Sequence, residues 1–97
     1  MIKIEIKGND FISIKGHADY AEIGKDIVCA TVSSIVITSV NGILRIDRDA
    51  IDYDESDGIQ IEVKKHSEVV DKLIINMIEL LEELKEQYPK YVNIRRC

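Results

Sequence analysis

The 97-residue sequence predicts an α+β fold, a single-domain sandwich over residues 1–97 in β-β-α-β-β-α-β order, with two helices packed on a mixed or antiparallel sheet. Three observations lead there. Five short segments alternate apolar and polar residues, the two-residue period of a half-buried strand. Two long segments repeat apolar residues every three or four positions, the helical period. Hairpin-type turn residues join the strands in pairs, and the length is that of one domain.

Residues 1–7, MIKIEIK, set Ile2, Ile4 and Ile6 on one face and Lys3, Glu5 and Lys7 on the other. The turn GND follows, and FISIKGH alternates again with Ile12 and Ile14 on one side, so the first two strands form a hairpin. From 27 to about 46, Val28, Val32, Ile35, Val36, Val40, Ile43 and Leu44 keep helical spacing in spite of their β-branched content. Asp26 is the expected N-cap, its carboxylate accepting from the amide of Val28 or Cys29. AIDYD and IQIEV then flank ESDG, whose Asp57-Gly58 pair is a hairpin signal. Ser67 caps a second helix carrying Val70, Leu73, Ile74, Met77, Leu81 and Leu84, Pro89 ends it, and YVNIR forms a fifth strand. The order of the strands in the sheet stays open.

Composition narrows the function. Apolar residues make up 45% and charged residues 32%, the balance of a globular domain. A net charge of -5 argues against direct nucleic-acid binding, which needs clustered Lys and Arg, and suits a basic partner or simple solubility. Residues 27–44 are interrupted by Thr31, Ser33, Ser34, Thr38, Ser39 and Asn41, too polar for a lipid-facing span, so no membrane anchor is expected. The N-terminus lacks the apolar run of a signal peptide, so a cytoplasmic location with reduced cysteines is expected. His66 precedes the second helix and reads as a cap or a solvated residue; one histidine without paired cysteines offers no zinc site, so no metal is expected. Cys97 reads as a frayed terminal thiol.

His17 and Cys29 stand twelve positions apart. A thiol in the first turn of a helix faces unpaired amides and the positive end of the macrodipole, which favour a thiolate. The amides of Ala30 and Thr31 are then candidates for an oxyanion site, and His17 for the base and acid. The alternative is a small core cysteine and a solvated strand-end histidine. Strand alternation puts His17 with Phe11, Ser13 and Lys15, so either a bend at Gly16 or the end of the strand there is needed to turn it toward Cys29. Residues Ala18, Asp19, Tyr20, Ala21, Glu22, Ile23, Gly24 and Lys25 read as a crossing loop, either a substrate lid or an ordinary connection.

Gly16-His17-Ala18, Tyr20-Ala21, Gly24, Asp26-Ile27-Val28-Cys29-Ala30 and Val32-Ser33 together resemble the signature of the ribosomal-processing cysteine protease family, Prp. The resemblance extends over the whole chain. It implies a cofactor-free cysteine endopeptidase with a His17–Cys29 dyad, acting on the N-terminal extension of a large-subunit ribosomal protein. Asp26 matches the motif's acidic residue, either capping the helix or orienting His17. Ser33, one turn beyond Cys29, is placed to hydrogen-bond the sulfur or His17, or simply to let the helix pack closely. Thr31 stands where the family usually carries a small residue. The resemblance and the thin core of so short a chain imply a homodimer, with the stripe of the second helix as the shared surface. The rival from another class is a non-catalytic, ribosome-associated peptide-binding or assembly module.

Overall fold

In the computed structural model of the chain, residues 1–16 and 23–97 are described, residues 23–26 by their backbone alone. The elements are β1 (Ile2–Lys7), β2 (Phe11–Lys15), α1 (Ile23–Ile46), β3 (Ile51–Asp54), β4 (Ile59–Val63), α2 (Glu68–Gln87) and β5 (Val92–Arg96). The expected α+β order is the observed one. The five strands form one mixed sheet in the order β3-β4-β2-β1-β5, antiparallel except for the parallel pair β1 and β5.

Register lines up the isoleucines. Ile4 lies opposite Ile14 and Ile94, Ile6 opposite Ile12, and Ile12 opposite Ile61, so one face of the sheet is continuously apolar. Both helices cover that face. Val28, Val36 and Ile43 of α1 and Ile74, Met77 and Leu81 of α2 are almost wholly enclosed with Ile4, Ile6, Ile12 and Ile61. Each such side chain contributes roughly 1.5–3 kcal/mol of transfer free energy. Lys3, Glu5 and Lys7 occupy the opposite, exposed face.

The ends of α2 follow from its flanking residues. Ser67 adopts extended backbone and its hydroxyl accepts from the Val70 amide at 3.2 Å, while Glu68 and Asp71 complement the positive end of the helix. The Tyr88 amide donates to the Leu84 carbonyl at 2.9 Å, and Pro89 follows. The α2 stripe is consumed inside the protomer: Val70, Ile74, Met77, Ile78, Leu81 and Leu84 are buried against the sheet and α1. It is therefore not a surface for sharing with a second copy.

Helix α1 begins at Ile23, about a turn before the expected start at residue 27. Asp26 therefore lies inside the helix and is not its N-cap. Residues Ile27–Ile46 are long and apolar enough, at mean hydropathy 2.0, to cross a membrane, contrary to the reading that they are too polar. Their positions 28, 32, 36, 40 and 43 instead pack into the core. Cys29, Ile35 and Leu44 are partly covered, while Ile27 and Ile37 stay about half exposed.

His66 is neither a cap nor merely solvated. Its Nδ1 lies 2.7 Å from Asp71 and its Nε2 2.7 Å from Asp10, joining the β1–β2 turn to the first turn of α2. Cys97 is exposed, but its amide donates to the Ile6 carbonyl at 2.9 Å, so its backbone is tied to β1 rather than frayed.

Candidate active site

A cleft of about 430 Å³ opens where the end of β2, the middle of α1 and the β3–β4 hairpin meet. Cys29 is in it. The thiol is half-buried, packs against the apolar core, and shares the cleft wall with Val32, Ser33 and Ile37 of α1. The i, i+4 spacing of the helix brings Ser33 onto the Cys29 face.

Gly16 forms the opposite side of the same cleft. Its φ of +96° lies in a region that L side chains rarely adopt, and a Cβ there would collide with the Met1 carbonyl. Strand β2 ends at Lys15, and Gly16 packs the chain tightly against the start of β1. Residue 17 follows directly from this cleft wall. His17 itself and the loop residues Ala18, Asp19, Tyr20, Ala21 and Glu22 lie outside the described residues, as do the side chains of Lys25 and Asp26.

Two expectations are corrected by the early start of α1. Ile23, Gly24 and Lys25 belong to the helix rather than to a substrate loop. Cys29 is the seventh residue of the helix, in its second turn, beyond the reach of the terminal dipole effect. The amides of Ala30 and Thr31 are accordingly engaged by the carbonyls of the preceding turn and are not available as oxyanion donors. The Thr31 hydroxyl also turns back, donating to the Ile27 carbonyl at 2.7 Å. The start of the helix therefore supplies no activation of the thiol.

The third wall is the β3–β4 hairpin, whose acidic residues Asp52, Asp54, Glu55 and Asp57 read from sequence as no more than a solvated turn. Tyr53, Glu55, Ser56, Gly58 and Ile59 of the β3–β4 hairpin face Cys29 across the cleft. The Tyr53 hydroxyl donates to the Glu55 carboxylate at 2.5 Å. Partial burial, followed by that hydrogen bond, pushes the Tyr53 phenol up to about 12. Gly58 takes φ +66°, and a Cβ there would stand 2.5 Å from the Ile14 carbonyl oxygen, so the hairpin lies close against β2. The pairing of β4 with β2 fixes this approach. No signal in the sequence links residues 53–56 to Cys29, because the contact runs through strand order. Among the described residues, no group of three His, Cys, Asp or Glu side chains is placed to hold a metal ion.

Comparison with known proteins bears on this cleft. The sequence model of a family described as cysteine protease Prp matches residues 1–93. The ribosomal processing cysteine protease Prp of Staphylococcus aureus strain Mu50 is 31% identical over 97% of both chains. Two crystal structures of the essential ribosomal processing protease Prp from S. aureus superpose over all of both chains. One, with a covalently linked product peptide, has a TM-score of 0.85 at 27% identity. The other, with a substrate peptide, has a TM-score of 0.87 at 25% identity. A half-buried cysteine in a cleft on this fold, with sequence similarity along nearly its whole length, makes the chain a cysteine protease of the Prp family.

Proposed function

We propose that this protease removes the N-terminal extension of a large-subunit ribosomal protein during ribosome assembly, with Cys29 as nucleophile and His17 as base and acid. The supporting observation is that Cys29 and Gly16, the residue before His17, line one cleft. Cofactors are not needed for the chemistry. The Cys29 Sγ, its proton passed to His17, bonds to the scissile carbonyl carbon, whose oxygen takes the negative charge. The imidazolium then protonates the departing amide nitrogen, the C–N bond breaks, and the trimmed ribosomal protein leaves while the extension stays as a thioester. His17 next takes a proton from water, whose oxygen displaces the sulfur and frees the extension as a carboxylate. In this reading Asp26 orients His17, and Ser33 donates to the sulfur or the ring.

The protein acts in the cytoplasm, where its substrate is made, and as a homodimer. The dimer is supported by a groove of about 630 Å³ between the outer faces of α1 and α2, whose lining includes Ile27, Ile35 and Leu80. Ile27 is half exposed there, and uncovered apolar surface of this kind commonly marks an interface.

The deciding experiment incubates the protein with a peptide spanning the extended ribosomal N-terminus and reads the products by mass spectrometry. One defined cut is expected, abolished in C29A and in H17A with the fold intact. Cleavage by C29A at the parent rate would overturn the nucleophile assignment.

A further inference from the structure

We infer that Glu55 is a specificity-determining residue that selects a positively charged side chain, lysine or arginine, on the peptide bound in the Cys29 cleft. The inference rests on the protease reading above and names one feature of its substrate. Among the described residues that line the cleft, Ile2, Ile14, Val32, Ile37 and Ile59 supply apolar surface, Ser33, Tyr53 and Ser56 supply neutral polar surface, and Glu55 is the one formally charged side chain.

The neighbouring hairpin carboxylates, Asp54 and Asp57, stand outside the cleft lining, and Asp57 pairs with Lys15 at 3.1 Å. Glu55 accepts from the Tyr53 hydroxyl, a neutral donor that aims the carboxylate without cancelling its charge. An ionised carboxylate offers about four acceptor positions, so further sites remain for an ammonium or guanidinium group. Glu55 is exposed at the cleft rim, so the contact has the modest strength of a solvent-facing ion pair. Tyr53 is anchored on β3 opposite Ile61, so it holds Glu55 at the cleft rim as a positioning residue.

The test uses peptides spanning the ribosomal protein's extended N-terminus, with lysine or norleucine placed in turn at each position around the cut. Norleucine keeps the chain of lysine and removes its charge. The parent protein is expected to prefer lysine about threefold in kcat/KM at one position, a difference of roughly 0.7 kcal/mol. E55Q should bring that ratio to about one. Y53F should reduce the ratio partly, through KM rather than kcat. Added salt should shrink the parent's preference and leave E55Q unchanged. A lysine preference that E55Q retains, or its absence at every position, would overturn the inference. Loss of all cleavage in both the parent and E55Q would instead strike at the protease reading.

Discussion

His66 meets Asp10 across fifty-six positions of sequence, Nε2 to Oδ1 at 2.7 Å, while the other ring nitrogen meets Asp71 at the same distance. Only the doubly protonated ring donates to both carboxylates. The hydrogen bonds to Asp71 and then Asp10 raise the His66 pKa above its ordinary 6.5. A raised folded-state value means that the contribution to stability is fully present below about 6.5 and is lost as pH rises through the higher folded value. Urea midpoints of the parent and H66N should therefore differ at about pH 5.5 and converge by about pH 9. An unchanged gap between the two proteins across that range would count against the clamp.

Glycine substitutions should be graded by what surrounds them. Gly16 and Gly8 both have positive φ, but a Cβ at Gly16 meets the Met1 carbonyl whereas at Gly8 its nearest neighbour is Asp10 at 3.7 Å. G8A is expected to cost about 1 kcal/mol from backbone conformation alone. G16A adds a backbone collision and should cost about 2–3 kcal/mol or more, with a matching fall in cleavage as the cleft wall shifts. Chemical denaturation of the two variants, read beside their peptide-cleavage rates, checks the order.

Core packing makes a third prediction. Met77 is fully enclosed between α2 and the sheet, so M77A should destabilise by about 2–5 kcal/mol, through lost transfer free energy and an unfilled cavity. E83A, on the exposed side of the same helix, should stay within about 0.5 kcal/mol of the parent. Denaturant midpoints distinguish them.

The two thiols should differ in reactivity against their exposure. Cys97 is open to solvent and Cys29 is half-buried. If an imidazole partner activates Cys29, iodoacetamide at about pH 6.5 should label it at least tenfold faster than Cys97, and H17A should remove the advantage. Peptide mapping over time reads both rates in one sample, and faster labelling of Cys97 in the parent would contradict an activated Cys29.

The strands were legible because a sheet with one wet face writes a period of two into Ile2, Ile4, Ile6, Ile12 and Ile14. Ser67 and Asp57-Gly58 were equally plain, since capping and tight turns are satisfied by neighbours in sequence. The start of α1 was not, because Gly24 costs about 1 kcal/mol against alanine in a helix and local propensity there points to a loop. That error carried into the chemistry: a helix starting at residue 27 would have given Cys29 free amides, and one starting at Ile23 does not. The α2 stripe announced burial but not its partner, which is the protomer's own sheet. The cleft was half visible: Cys29 and the bend at Gly16 came from the motif, whereas Tyr53 and Glu55 reach it through the β2–β4 pairing, which leaves no local trace.

The parallel seam between β1 and β5 sets a timetable for synthesis. Ile2 to Ile6 leave the ribosome early, yet the strand that runs alongside them, Val92 to Arg96, emerges about ninety residues later. Until then one side of β1 is bare, and Ile2 at the cleft floor lacks its neighbour. That seam spans the widest sequence separation of any strand pair in the sheet and so carries its largest loop-closure cost, although no residue of β5 lines the cleft.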